Sequence, residues 1–137
     1  MILLSRLRRC LGPAPLALIA AAGPAAAMTD RPPAVVGHCA FTTIGWVGQR
    51  LGDGSGRPLV PSPGSAVTLA DGVRGVSYDD VPAVARSRVG YRVMTCLAKL
   101  PRHCPPGDGR GRWYTTTNLR TDEAWTLPDA EHQCGGA

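Results

Sequence analysis

Aromatic residues are scarce in this sequence. One Phe, three Tyr and three Trp make up 5% of it, so aliphatic side chains and covalent links have to do most of the work of a core. Lysine is almost missing, with Lys99 the only one, and the basic charge is carried by Arg. No C-x-x-C is present, which excludes a zinc knuckle and a thioredoxin-like redox motif. There is no G-x-S-x-G and no H-E-x-x-H. The two Gly-rich stretches, Gly52 to Gly56 and Gly107 to Gly111, lack the Lys and the following helix of a phosphate loop and read as turns. No internal repeat occurs. The longest apolar run, residues 13 to 22, falls short of the roughly 20 residues that span a bilayer and is interrupted by Pro13 and Pro15. A membrane-spanning mature chain is not expected.

What is there begins with the grammar of a secretory signal. Arg6, Arg8 and Arg9 precede the apolar run, and Ala25, Ala26 and Ala27 supply an A-x-A site, so residues 1–27 are expected to be removed. The Arg8-Arg9 pair is shared with twin-arginine signals, but Cys10, Leu11 and Gly12 fit that motif poorly and the ordinary Sec route is expected. Cys10 precedes the apolar run and Cys39 lies well past the cut, so lipidation is not expected. Removing the signal takes three of fifteen basic residues and none of ten acidic ones, leaving twelve against ten, net +2. A nucleic-acid partner would show a dense basic patch, and none is expected. The expected location is periplasmic or secreted.

About 110 mature residues suit one small domain. Four cysteines remain in it, Cys39, Cys96, Cys104 and Cys134. In an exported chain they read as two disulfides with three possible pairings. Cys39 with Cys96 and Cys104 with Cys134 is preferred, because each pair ties distant segments that read as neighbouring strands or their ends.

Residues 28–38 read as a flexible lead-in and 39–137 as a β domain. Cys39 to Leu51 is a strand bulged at Gly45 and Gly48, and 52 to 64 is a Gly/Pro loop. Ser65–Ala70 and Val73–Tyr78 flank Asp71-Gly72, the signature of a type I′ hairpin, which would set Val67 and Leu69 on one face with Val76 and Tyr78. Asp80 before Val81-Pro82 caps a short helix or opens a structured loop. Tyr91 to Ala98 is a strand carrying Cys96. Arg112 to Thr117 and Glu123 to Leu127 form a second hairpin. The expectation is an all-β domain of antiparallel hairpins, a small sandwich or barrel with at most one short helix.

Two constellations are candidates for function. Arg110, Arg112, Trp113, Tyr114, Arg120 and Trp125 form a possible ligand surface on the second hairpin, suited to a protein or an anionic envelope polymer. His38, His103 and His132 each sit beside a mature cysteine, and with reduced thiols would supply metal ligands. An oxidising compartment favours bridges over thiolates, so no cofactor and no metal is the primary expectation. The adjacent pair Asp79-Asp80 would point to opposite faces of a strand and is not a ready acid–base dyad.

The segments Cys104-Pro105-Pro106-Gly107-Asp108, Arg110-Gly111-Arg112, Thr117 to Thr121, Trp125, Pro128-Asp129 and His132 to Ala137, with Gly64 to Val67 and Val76 to Asp79, resemble a group of small secreted proteobacterial proteins of unassigned function. The resemblance covers roughly half the mature chain and implies export and a shared fold, with no activity to transfer. A weaker likeness is to small periplasmic lysozyme inhibitors. Pro61 to Ser65 departs from their Ser-Gly-Ser-Gly loop, so no inhibitory residue carries over. A non-enzymatic exported binding module is therefore expected, with a metal-binding protein or enzyme using the Cys/His set, and a lysozyme-inhibitor-like or structural envelope protein, as alternatives.

Overall fold

The computed structural model describes residues 28–51, 61 and 63–136. The expected signal peptide and most of the 52 to 64 loop lie outside them. The elements are β1 (Cys39–Gln49), β2 (Ser65–Leu69), β3 (Arg74–Ser77), α1 (Pro82–Ala85), β4 (Arg92–Lys99), β5 (Trp113–Asn118) and β6 (Glu123–Pro128). The strands pair antiparallel in the order β3-β2-β1-β4-β5-β6. The sheet curls until its two edges meet through side chains. A Cβ added at Gly75 on β3 would lie 3.3 Å from Leu127 on β6, so the missing side chain is what lets the half-barrel close there. The all-β architecture with one short helix and two disulfides is the one expected.

The inward face follows the period of two that strands impose. Ala40, Thr42 and Ile44 on β1, Val93, Thr95 and Leu97 on β4, Tyr114, Thr116 and Asn118 on β5, and Trp125 and Leu127 on β6 are buried. Ala83 and Val84 of α1 join this core. It carries polar groups that must be paired, and they largely are. The Thr95 and Thr116 hydroxyls bond each other at 2.9 Å, and the Asp71 N–H donates to Thr42 Oγ1 at 3.2 Å. Asn118 Nδ2 donates to Ser87 Oγ at 2.8 Å, and that hydroxyl donates to the Ala83 carbonyl at 2.9 Å. The helix is thereby hung on β5 as well as packed on the core.

Both expected disulfides form. Cys39–Cys96 joins directly opposed residues of β1 and β4, and Cys104–Cys134 joins the β4–β5 loop to the tail. The bulge falls at Gly45, where the β1–β2 register shifts between Ile44 and Trp46. Gly48 stays in register, and its missing side chain leaves room for the Trp46 ring, 2.8 Å from where a Cβ would stand.

Three local expectations are corrected. The β2–β3 turn contains Ala70, Asp71 and Gly72, because Leu69 pairs with Val73 and only Gly72 has positive φ (+92°). This is the three-residue loop with a left-handed third position, in place of a type I′ turn. The one-residue change moves Val76 opposite Ala66 and sets Gly75 opposite Val67. Asp80 does not cap α1. Val81 holds the N-cap position, and its N–H is taken by Ser65 Oγ at 2.8 Å. The lead-in, expected to be flexible, is laid on the sheet. Thr29 N–H donates to the Phe41 carbonyl at 3.0 Å, Gly37 N–H to the Leu97 carbonyl at 2.8 Å, and Pro33 is buried.

Candidate functional site

At one end of the half-barrel the strands leave an open cleft of about 940 Å³ between the end of β1, the entry to β2 and the segment around α1. Its position follows from local chain chemistry. Arg50 N–H and Leu51 N–H continue the β1–β2 pairing by donating to the Gly64 and Pro63 carbonyls at 3.1 and 3.2 Å. Gly64 offers no side chain that could fill the gap, and the short Pro63 ring only lines it. Gly64 has φ +70°, and a Cβ there would overlap the Ser77 carbonyl oxygen, so glycine is required to turn the chain into β2. On the far wall, Arg88 Nη1 donates to the Ser87 and Ala85 carbonyls at 2.9 and 3.2 Å. That satisfies carbonyls at the end of α1, where a cation is favoured.

The walls are mainly apolar. Val47 and Val81 pack against the core from its rim, and Pro63, Pro82 and Val89 continue the lining outward. Val89 is 63% exposed. Asp80 and Arg88 place one carboxylate and one guanidinium at the mouth. The two hydroxyls that line it, Ser65 and Ser87, are already bonded within the fold. Gln49 also lines the cleft, and its Oε1 is buried with no hydrogen-bond partner among the described residues. Such a lining holds a ligand by burial and a few polar contacts. Among the described residues it presents no hydroxyl or thiol beside a base.

The surface expected on the second hairpin is not assembled. Tyr114 and Trp125 point into the core, at 4% and 6% exposure, because β5 and β6 put their even and odd positions respectively inward. Burial pushes the Tyr114 phenol up. Trp113 is half-buried on the opposite face. Arg110 is bound to Asp108 at 2.8 and 2.9 Å. That guanidinium, with the Gly135 N–H, holds the Asp108 carboxyl well below the usual carboxylate range. Arg112 stands before β5 and Arg120 after it, about 20 Å apart for a six-residue strand at roughly 3.3 Å per residue. Arg120 instead lines a smaller hollow of about 360 Å³ with Arg92 and Leu119.

The alternative metal set is not formed either. All four sulfurs are in bridges, and no group of three or more His, Cys, Asp or Glu comes together among the described residues. His38 precedes β1, whereas His103 and His132 belong to the segments joined by the second disulfide. The cleft residues Val47, Gln49 and Val89 were not singled out by the sequence. The available signal was the Val81-Pro82-Ala83-Val84 run, which marks an apolar surface without saying where it faces. No helix among the described residues is long and apolar enough to cross a membrane. Comparison with protein-family models, curated proteins and solved structures finds no match.

Proposed function

We propose that this chain is an exported, non-enzymatic binding module of the periplasm or the extracellular space, and that the cleft between β1, β2 and α1 seats its ligand. The observation that carries the reading is the make-up of that cleft. It is an apolar space of about 940 Å³, at the upper end of the size of small-molecule sites. Among the described residues its two hydroxyls, Ser65 and Ser87, are committed to the fold and the Gln49 acceptor has no partner, and with the Asp80 and Arg88 charges that acceptor fixes polarity. Two disulfides support a scaffold meant for an oxidising compartment, and the signal-like first 27 residues support the same placement.

The test uses 1-anilinonaphthalene-8-sulfonate, an apolar anion, as probe against the folded, oxidised protein. Saturable binding is expected, with NMR shifts concentrated at Val47–Gln49, Gly64–Ser65 and Val81–Val89. Val89→Asp, at an exposed position, should weaken it at least tenfold while leaving the circular dichroism unchanged. Absence of saturable binding, or binding indifferent to Val89→Asp, sinks the assignment.

A further inference from the structure

A second surface lies on the outer face of β1–β3, away from the core. Register places its residues in three rows: Trp46, Thr68 and Arg74; Gly48, Ala66 and Val76; then Arg50, Gly64 and Tyr78. The Trp46 indole lies over Gly48 instead of standing upright, yet remains 48% exposed. Tyr78 is 54% exposed, with the Arg50 guanidinium over one face of its ring at 4.2 Å from the centroid. Glu131 holds Arg50 from the side at 3.6 Å. Arg74 is exposed and has no ion pair among the described residues. The middle row is buried, except for Gly48, which sits under the indole. What this face offers a ligand is therefore two exposed rings and the Arg74 guanidinium, the Arg50 side chain being only 11% exposed beneath Tyr78.

We infer that this face is a stacking platform for an acidic glycan, distinct from the cleft. A sugar ring has an apolar C–H face and a polar edge, and a flat aromatic ring receives that apolar face. Trp46 and Tyr78 sit at diagonal corners, four positions along the strand and two strands across, which is about 16 Å between attachment points. The indole leans along β1 over Gly48, towards the row that holds Tyr78. A short run of linked sugars spans the gap, with an acidic group set against the exposed Arg74. Size argues against a folded protein partner. Nine positions on three strands cover roughly 290 Å², whereas a stable protein interface takes about 800 Å² per partner. A proline-rich peptide needs upright rings with grooves between them, and the recumbent indole provides none.

The experiment is titration of the oxidised protein with an oligogalacturonate, followed by tryptophan fluorescence and NMR, beside a neutral cello-oligosaccharide and a proline-rich peptide. Oligogalacturonate should bind, and raising the salt concentration should weaken it. Trp46→Ala should lose at least tenfold in affinity. Tyr78→Ala, whose ring is exposed, gives a second reading should Trp46→Ala perturb the fold. Arg74→Gln should lose about threefold and flatten the salt dependence. Val89→Asp, which disables the cleft, should leave this binding intact, so that the two sites fail or stand separately. No oligogalacturonate binding, binding undiminished in both aromatic variants, or preference for the peptide would each overturn the inference.

Discussion

Removing the two disulfides one at a time separates what each does. In the chain-entropy treatment a bridge stabilises by shortening the unfolded chain, according to the loop it closes. Cys39–Cys96 closes a separation of 57 residues and Cys104–Cys134 one of 30, which correspond to about 4.2 and about 3.6 kcal/mol at 25 °C. The global losses in the paired Cys→Ala variants should therefore be nearly equal. Their local consequences should not. The Cys39/Cys96 variant keeps five registered residue pairs between β1 and β4. In the Cys104/Cys134 variant the tail is left with a few contacts, namely Cys134 N–H to the Arg110 carbonyl at 3.0 Å and Gly135 N–H to Asp108 Oδ2 at 3.1 Å. Urea unfolding measures the first quantity, and native-state hydrogen exchange the second. Losing the second bridge should speed exchange of amides in 100–112 and 129–136 without exposing the sheet. A domain of this size has a total stability of about 5–15 kcal/mol, so full reduction, costing nearly 8 kcal/mol, should leave it unfolded or close to it. A loss below about 1 kcal/mol in either pair, or rapid exchange across β4 and β5 after removing only Cys104–Cys134, would refute this reasoning.

Other perturbations test the interior. Asn118→Ala removes the donor to Ser87 Oγ and the acceptor for Arg120 N–H at 2.9 Å, and should cost about 2–4 kcal/mol by urea unfolding. Asn118→Asp should recover little of that loss, because a carboxylate cannot donate to Ser87. Gly64→Ala meets both the left-handed backbone, about 1–2 kcal/mol, and overlap with the Ser77 carbonyl. It should destabilise by about 3 kcal/mol or more and reduce anilinonaphthalene sulfonate binding at the cleft. Burial pushes the Asp71 carboxyl up, and its Oδ2 has no partner among the described residues. The folded form then holds that proton more tightly than the unfolded chain, and the contribution of Asp71 to stability falls as pH rises from the ordinary carboxylate range through the raised value. Asp71→Asn, which can keep the Val73 N–H bond, should gain on the parent protein across that pH window and hold the gain at neutral pH. Melting curves from pH 3 to 7 that run parallel would remove the assignment.

Much of the fold was legible because its signals are local. Alternation marked β4, β5 and β6 to within a residue or two, Asp71-Gly72 marked the first turn, and the four cysteines that follow the signal-like first 27 residues marked the bridges. The errors came where a side chain could not reveal which way it faced. Trp125 and Tyr114 looked like ligand-facing aromatics beside arginines, but in a chain with so few rings the core claimed them first. A single extra residue in the turn, invisible to the Asp-Gly signature, reversed the face of Val76. Asp80 preceded a helix start in sequence, but the hydroxyl that takes the N–H of Val81 belongs to Ser65, sixteen residues away. The cleft was illegible for the same reason, since its walls come from three segments that are separated along the chain.

The bulge at Gly45 has a consequence for how the two surfaces communicate. Before it, β1 is pinned covalently to β4 through Cys39. Beyond it, the strand pairs with β2, carrying the Val47 side chain on the cleft side and the Trp46 indole on the outer side. That half is held by β2 and not by β4, so a ligand that twisted it would move Val47 and the Trp46 indole in opposite senses. Any occupant of the cleft that favours one twist of the strand must change affinity at the outer face by some factor, and an occupant of the outer face must change affinity in the cleft by that same factor.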